Sequence, residues 1–185
     1  MTHEHSLAPS PWIVRFASLV PPEARVLDVA AGSGRHARLF ASGGARVLAV
    51  DRDADALARM SGVAGIETIA VDLERGQWPF GGQTFDAVVV TNYLHRPLFP
   101  HLRAALADDG VLLYETFAMG NEAYGRPTNP DFLLCRDELL SLASLVPAMT
   151  VVAFEQGLVH GEGRAAVVQR LASVGWARPW PPGLG

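Results

Sequence analysis

Short apolar runs separated by polar and glycine-containing segments recur along the whole chain. Seven of these runs are rich in Val, Ile, Leu and Ala and have the length of β-strands. The fourth run is apolar almost throughout, which is typical of a parallel strand that is buried on both faces. The predicted strands are Arg25–Ala30, Arg46–Val50, Ile66–Val71, Phe85–Val90, Val111–Phe117, Thr150–Glu155 and Ala165–Leu171.

Apolar residues at helical spacing lie between these runs. They centre on Leu39, Leu57 and Leu102, and a leucine-rich helix is expected over Arg136–Val146. Alternation of strand and helix indicates a doubly wound α/β fold, with helices on both faces of the sheet. The last two runs are joined by a glycine-containing loop that suits a hairpin. We therefore predict a doubly wound, seven-stranded, mostly parallel sheet with a C-terminal antiparallel hairpin.

The length and composition of the chain favour one globular domain. Of its 185 residues, 49% are apolar and 18% are charged, which suits a single sizeable core. We assign residues 1–175 to this domain and treat residues 1–20 as an N-terminal extension, within which Leu7–Val20 is a candidate lid. The Pro- and Trp-rich tail, residues 176–185, is expected to be flexible.

Charge and cysteine content exclude several classes of function. The net charge is −4, all fifteen basic residues are Arg, and the absence of Lys excludes P-loop and Schiff-base chemistry. No basic surface for nucleic acid is expected, nor a membrane partner, because charged residues or Pro interrupt every apolar stretch. A single cysteine, Cys135, favours a cytoplasmic protein. The histidines lack metal-ligand spacing, so we expect no metal site.

Three acidic residues stand at or just after the ends of successive predicted strands, namely Asp28, Asp51 and Asp72. Such strand ends meet at one edge of a parallel sheet, where ligands bind. Between Asp28 and the next helix lie Gly32 and Gly34, which allow a ligand to approach the backbone closely. The same segment fits a dinucleotide fingerprint, so an NAD-dependent oxidoreductase is one interpretation.

Asp28 favours another ligand. A pyrophosphate beside this carboxylate would place like charges together in a partly desolvated site. S-adenosylmethionine has no phosphate, and its sulfonium and ammonium groups suit a nearby acid.

The segments Val26–Gly34 and Phe85–Val89, together with Asp51 and Asp72, resemble class I S-adenosylmethionine-dependent methyltransferases. The resemblance covers about residues 20–171 and implies a Rossmann-like methyltransferase fold. It implies that the first acid and the glycines bind the methionine part, that Asp51 binds the ribose, and that the third acid and the following backbone bind adenine. At Ala30 the family often has glycine. The implied cofactor-binding residues are Asp28, Ala30, Gly32, Gly34, Asp51, Arg52, Asp72, Leu73 and Asn92.

Three further segments, Asn92–Pro97, Tyr114–Phe117 and Tyr124–Pro130, are similar to the small tellurite-resistance-type branch of this class. This similarity implies a small-molecule acceptor, with Ala118–Pro130 as the acceptor loop. The oligomeric state is expected to be a monomer or a homodimer. The candidate catalytic residues are His95, Glu115 and Tyr93, and the candidate substrate-binding residues are Trp12, Tyr124 and Arg126.

Each candidate also has a structural interpretation. Asp51 and Asp72 could cap helices, and Glu115 could form a buried salt bridge with an arginine such as Arg126. His95 could cap the following helix, and the aromatic candidates could be core residues. The function predicted from the sequence is transfer of a methyl group to a small nucleophile by in-line displacement. A protein that binds S-adenosylmethionine without catalysis remains a further alternative.

Overall fold

A computed structural model describes residues 8–161 and 164–184. Seven strands form one sheet in the order β3-β2-β1-β4-β5-β7-β6. Neighbours are parallel from β3 to β5, whereas β7 is antiparallel to both β5 and β6. The predicted seven-stranded, mostly parallel sheet with an antiparallel C-terminal pair is therefore confirmed. The strands are β1 (Arg25–Val29), β2 (Arg46–Asp51), β3 (Ile66–Ala70), β4 (Phe85–Thr91), β5 (Leu106–Phe117), β6 (Thr150–Gly161) and β7 (Arg164–Val174).

Helices cover both faces of the sheet, as a doubly wound fold requires. On one face, α1, α2 and α3 pack Phe16, Phe40 and Leu57 onto the strands. On the other face, α4 and α5 pack Leu102 and Leu139 onto them. The helices are α1 (Pro11–Phe16), α2 (Arg35–Ser42), α3 (Ala54–Ala58), α4 (Phe99–Ala104) and α5 (Glu138–Ala143).

Several element bounds differ from those predicted. The helix expected over Arg136–Val146 is shorter and forms α5. Strands β6 and β7 extend beyond their apolar runs, because they pair from Thr150 opposite Val174 to Gly161 opposite Arg164, with one irregularity between Val151 and Ala153. Hydrogen bonds between two neighbouring strands thus extend the hairpin where the hydrophobic pattern has already ended.

Parallel register brings the carboxyl ends of β1, β2 and β4 together. Val29 lies beside Val50 on one side and Val90 on the other. The segments that follow these strands therefore meet at one edge of the sheet, where a ligand site is expected. None of the helices within the described residues is long and apolar enough to cross a membrane.

The start of the C-terminal tail is anchored to the segment that opens β5. The Trp176 indole N–H donates a hydrogen bond to Asp108 Oδ1 at 3.3 Å, and the Ala177 N–H donates to the Asp108 carbonyl at 3.0 Å. Flexibility of the remaining tail stays a prediction. Residues 1–7 and 185, which include the start of the predicted lid at Leu7 and the end of the tail, lie outside the described residues.

Candidate functional site

The turn between β1 and α2 has an unusual backbone conformation. Ala30, Gly32 and Gly34 have φ values of +55°, +54° and +81°. This left-handed region is open to glycine but strained for other residues, so Ala30 stands where the chain must turn sharply. The Ala31 N–H donates to the Val50 carbonyl at 3.0 Å and fixes the turn against β2.

Asp51 ties the glycine turn to the end of β2. One carboxylate oxygen accepts a hydrogen bond from the Gly32 N–H at 2.8 Å, and the other accepts one from the Asp53 N–H at 2.9 Å. Asp53, rather than Asp51, caps α3 by accepting from two backbone N–H groups. A carboxylate offers about four lone-pair positions, so Asp51 retains acceptor capacity for a ligand hydroxyl.

The two glycines of the turn have different surroundings. Within residues 8–161 and 164–184, a Cβ atom added to Gly32 would meet no heavy atom within 4 Å, so these residues leave open space over Gly32. A Cβ atom added to Gly34 would overlap with the side chain of Met60. Gly34 therefore leaves room for the Met60 side chain, and Gly32 borders the space that a ligand could enter.

Asp28 is buried in β1 beside this turn. Asp28 is only 1% exposed, and its Oδ2 has no hydrogen-bond partner among the residues that the structure describes. Burial raises the pKa of the Asp28 carboxyl from 3.8 to about 7, against the opposing effects of the Ala37 backbone N–H and the Arg35 charge. A buried carboxylate of this kind is unfavourable unless a cationic or hydrogen-bonding group compensates it.

Arg35 supplies positive charge on the other side of the turn. It is the first residue of α2 and is half-buried, and its Nη1 lies 3.5 Å from the Ala8 carbonyl oxygen. Burial lowers the pKa of its guanidinium, whereas the nearby charges of Glu115 and Asp28 raise it. The Asp28 carboxyl and the Arg35 guanidinium thus flank the turn, which suits a ligand that carries both an ammonium and a carboxylate.

The segments after β3 and β4 meet beside Tyr93. Burial raises the pKa of the Tyr93 phenol, and the charges of Glu74 and Asp72 raise it further. Tyr93 therefore stays protonated at neutral pH. Asp72 Oδ1 accepts a hydrogen bond from the Glu74 N–H at 3.0 Å. Asn92 is exposed, has a φ of +54°, and donates its backbone N–H to the Glu115 carbonyl at 2.9 Å.

Two other predicted cofactor residues lie at the same edge. Leu73 is half-buried and packs against the core beneath the segment that follows β3. Arg52 is exposed directly after Asp51. Contacts of the Leu73 backbone and the Arg52 side chain with a ligand stay predictions.

Glu115 lies near the carboxyl end of β5 and is 8% exposed. The Ser10 hydroxyl donates to its carboxylate, with Oγ 3.0 Å from both oxygens. Arg170 Nε lies 2.7 Å from Glu115 Oε2, but its N–H lacks hydrogen-bond geometry, so this contact is an ion pair. The buried ion pair considered for Glu115 therefore exists, and its partner is Arg170; Arg126 is exposed.

His36 is a buried polar residue that the sequence analysis did not single out. It is 2% exposed, and its Nε2 accepts a hydrogen bond from the Ser10 N–H at 3.0 Å. This contact assigns the ring proton to Nδ1, which lies 3.2 Å from Thr91 Oγ1 and donates to it. Burial, together with the Arg35 charge, lowers the pKa of His36 to about 3, so the ring is neutral.

The remaining candidates for catalysis and substrate binding differ in their exposure. His95 is half-buried, and its carbonyl accepts the Leu98 N–H at 3.0 Å at the start of a short 3-10 helix. Tyr124 and Arg126 are exposed on the loop after β5. Trp12 is 3% exposed, and its ring packs against Phe16, so its contact with an acceptor stays a prediction.

No metal-binding arrangement occurs in the part of the chain that the structure describes. There, no three His, Cys, Asp or Glu side chains are grouped so that they could hold an ion.

Comparisons with known proteins agree with this architecture. Residues 26–110 match a protein family described as a methyltransferase domain. No curated protein matches the sequence. TehB from Haemophilus influenzae has a similar structure, with a TM-score of 0.74 and 16% identity, over 94% of this chain and 64% of that chain. The chain thus spans 64% of the length of that TehB chain.

Two further solved structures are similar. A TehB-like S-adenosylmethionine-dependent methyltransferase from Corynebacterium glutamicum has a TM-score of 0.61 and 18% identity, over 85% of this chain and 83% of that chain. The 1,6-didemethyltoxoflavin-N1-methyltransferase from Burkholderia thailandensis was crystallised with S-adenosylhomocysteine. It has a TM-score of 0.64 and 20% identity, over 93% of this chain and 79% of that chain.

The residues at the sheet edge fit S-adenosylmethionine. The unpartnered Asp28 Oδ2 complements an ammonium group, the space over Gly32 admits a ligand, and Asp51 can accept hydrogen bonds from hydroxyls. Residues 26–110 match a methyltransferase domain, and the chain shares its fold with the TehB-like S-adenosylmethionine-dependent methyltransferases, so the resemblance to class I methyltransferases found in the sequence is confirmed.

Proposed function

We propose that the enzyme transfers a methyl group from S-adenosylmethionine to a small-molecule nucleophile by in-line displacement. The observation that carries the proposal is the arrangement of two charged side chains at the glycine turn. Asp28 has a buried oxygen without a hydrogen-bond partner, Arg35 is half-buried, and the turn between them is open over Gly32. When bound, the sulfonium supplies a methyl group that is already activated for transfer. The protein's contribution is then to hold donor and acceptor in line and to exclude water.

The residues around the turn have separate binding tasks in this proposal. Asp28 holds the ammonium, Arg35 holds the carboxylate, and Asp51 accepts the ribose hydroxyls. Asp72 and the Leu73 backbone hold the adenine, and Asn92 and Arg52 border it.

The acceptor is placed near the ends of β4 and β5. His95 is the first candidate for a general base, needed only if the acceptor carries a proton at working pH. Glu115 is engaged by Ser10 and Arg170, so its expected task is to orient the acceptor. Tyr93 is protonated at neutral pH and is expected to donate a hydrogen bond. Tyr124 and Arg126 are expected to contact the acceptor from the exposed loop.

A small acceptor is supported by the charge of the chain. Its net charge of −4 and lack of Lys give no general attraction to nucleic acid. The similar enzyme from Burkholderia thailandensis is named for a small molecule, 1,6-didemethyltoxoflavin. We extend the proposal to a cytoplasmic enzyme that is a monomer or a homodimer.

Turnover with a panel of acceptors tests the function. Purified enzyme is incubated with S-adenosylmethionine and, separately, with small thiols, amines, oxyanions, RNA and unfolded protein, and S-adenosylhomocysteine is measured. We expect product with at least one small acceptor and none with the polymers. Product formed only with a polymer would contradict a small acceptor, and cofactor binding without turnover would favour the non-catalytic alternative.

A ligand series tests the task of Arg35. Replacing Arg35 with Gln is expected to weaken binding of S-adenosylhomocysteine by roughly tenfold to a hundredfold, because a charge-assisted hydrogen bond is worth roughly 1.5–3 kcal/mol. Binding of 5′-methylthioadenosine, which lacks the amino-acid group, should be unchanged. Calorimetry with both ligands makes the comparison, and Arg38→Gln on the same helix is the matched control. Equal losses for the two ligands would remove Arg35 from the carboxylate.

A further inference from the structure

Arg96 joins the segment after β4 to the end of the acceptor loop. It begins a short 3-10 helix, and its guanidinium makes two hydrogen bonds to the Glu138 carboxylate, with Nε 2.6 Å from Oε1 and Nη2 2.9 Å from Oε2. Its Nη1 also donates to the Asp131 carbonyl at 2.9 Å, and its Nη2 donates to the Leu133 carbonyl at 2.8 Å. One side chain on the segment after β4 therefore holds three residues that follow the acceptor loop.

The loop that Arg96 holds has its two ends joined. The Leu134 N–H donates to the Phe117 carbonyl at 3.0 Å, and the Met119 N–H donates to the Leu134 carbonyl at 2.9 Å. These hydrogen bonds close the acceptor loop, Ala118–Pro130, beside the end of β5. Arg96 then fixes the closed end of the loop on the segment after β4.

The segment that carries Arg96 is itself attached to β5. The hydroxyl of Tyr114, which is 1% exposed, donates to the Tyr93 carbonyl at 2.9 Å. His95, the candidate general base, lies between Tyr93 and Arg96 in the chain. Arg96 therefore holds the acceptor loop against a segment that contains two of the candidate catalytic residues.

The contacts of Arg96 require a guanidinium group. Arginine is planar and can donate to both oxygens of a carboxylate, whereas the ammonium of Lys is a point charge without this geometry. Glu138 is half-buried, and its Oε2 also accepts the Cys135 N–H at 2.7 Å. Loss of the guanidinium would leave the Glu138 carboxylate without its charged partner, which costs more at a half-buried site than at a fully exposed one.

We propose that Arg96 is a positioning residue for methyl transfer, which sets the distance between the acceptor loop and His95. It acts through Glu138 and the carbonyls of Asp131 and Leu133, and the acceptor binds between the loop and the segment after β4. Cofactor binding at the glycine turn does not depend on Arg96. This inference rests on the proposed function, because it concerns the acceptor end of the same site.

The first measurement is the mobility of a nitroxide spin label on Cys135, the one cysteine of the chain, which is exposed. Arg96→Lys keeps the positive charge but not the bidentate geometry, and it is expected to shorten the rotational correlation time of the label by at least about twofold. Glu138→Gln keeps one oxygen acceptor and should shorten it less, and it serves as a second variant if Arg96→Lys does not fold. An unchanged spectrum would overturn the anchoring of the loop.

Arg25→Lys is the matched control for this substitution. Arg25 Nη1 also donates to a carbonyl, that of Thr84 at 3.1 Å, but Arg25 lies at the start of β1, at the opposite edge of the sheet. Arg25→Lys should leave the label spectrum, ligand binding and turnover as they are in the original protein. Equal loosening of the label in Arg25→Lys would show a general loss of stability and would overturn the anchoring by Arg96.

The second measurement compares the acceptor with the cofactor. Arg96→Lys is expected to lower kcat/KM by at least about tenfold for the most active small acceptor among the thiols, amines and oxyanions above, because the acceptor is no longer held in line. The Kd for S-adenosylhomocysteine should change by less than about twofold, because the glycine turn has no contact with Arg96.

The remaining outcomes separate the positioning task from the proposed function. Loss of S-adenosylhomocysteine binding by the same factor as kcat/KM would overturn the positioning task of Arg96. Reduced turnover with an unchanged label spectrum would overturn it as well, since Arg96 would then act on the acceptor directly. Absence of turnover in the original protein with every acceptor would contradict the proposed function, whereas the label spectrum would still decide whether Arg96 anchors the loop.

Discussion

Replacing Asp28 with Asn is expected to stabilise the protein at pH 8 and to weaken cofactor binding in the same experiment. The reason is that the folded chain buries this carboxyl, with one oxygen unpartnered, and raises its pKa from 3.8 to about 7. Above pH 7 the folded protein therefore contains a buried carboxylate that no described group fully compensates. The Asp28→Asn substitution removes this charge with little change in shape.

The sign of the pH dependence follows from proton binding in the two states. Between about pH 4 and pH 7 the unfolded chain has released the Asp28 proton, whereas the folded chain still holds it. The contribution of Asp28 to stability therefore falls as pH rises through this window and is lowest above pH 7. One pKa unit corresponds to about 1.4 kcal/mol, so the full effect is on the order of 4 kcal/mol.

Urea unfolding at pH 4.5 and pH 8 measures this effect. We expect the difference in unfolding free energy, Asp28→Asn variant minus original protein, to increase by a few kcal/mol between these pH values. Asp72→Asn, at a half-buried site without an unpartnered oxygen, serves as the control. A difference independent of pH would show that Asp28 titrates normally.

Binding of the cofactor should follow the opposite trend. An ammonium group prefers the ionised carboxylate, so affinity for S-adenosylhomocysteine is expected to rise from pH 6 to pH 8 in the original protein. In Asp28→Asn it should be weaker at pH 8 and nearly independent of pH. Calorimetry at the two pH values makes this comparison. The residue that opposes folding at pH 8 is thus the one that the ligand compensates.

Much of the fold follows from local pattern. Strands such as Phe85–Thr91 are buried on both faces and are therefore visible as continuous apolar runs. Asp51 could be assigned to the end of a strand because an apolar run stops there. The position of the glycine turn relative to Asp51 then follows from parallel pairing of neighbouring strands. These features depend on residues near one another in the chain or on a general rule of topology.

The buried hydrogen bonds that join Ser10 to His36 and Glu115 could not be predicted in the same way. Ser10 and Glu115 are 105 positions apart, and Ser10 and His36 are 26 apart. A hydrogen bond between such residues leaves no periodic trace in the sequence. One signal was present, since Ser10 followed by Pro11 is typical of the start of a helix, and that signal would have located α1. It would not have identified the partners.

Gly32 and Gly34 belong to one sequence motif but have different surroundings in the structure. Both glycines of the turn fit the same sequence motif and both have positive φ, yet only Gly34 would overlap with Met60 if it carried a side chain. The sequence motif predicts that both glycines bind the ligand. In the structure, Gly34 packs against Met60, whereas Gly32 faces open space. Only the packing around each glycine, which depends on the distant Met60, makes this distinction.

Matched alanine substitutions at these two positions should therefore have opposite main effects. Gly32→Ala is expected to destabilise the fold by only about 1–2 kcal/mol, from backbone strain. It should weaken binding of S-adenosylhomocysteine by at least about a hundredfold, because the added methyl group fills the space over the turn. Gly34→Ala is expected to destabilise the fold by about 2–4 kcal/mol, because overlap with Met60 adds to the strain. Its affinity for the ligand should change by less than about threefold.

Urea unfolding and calorimetry on the same preparations test the pair. Adding Met60→Ala to Gly34→Ala should recover part of the lost stability, because it removes the overlap but not the strain at φ +81°. The same addition to Gly32→Ala should restore no binding. If Gly32→Ala folds and binds the ligand normally, the open space over the turn is not the cofactor site, and Asp28 and Asp51 would then have to serve the fold alone.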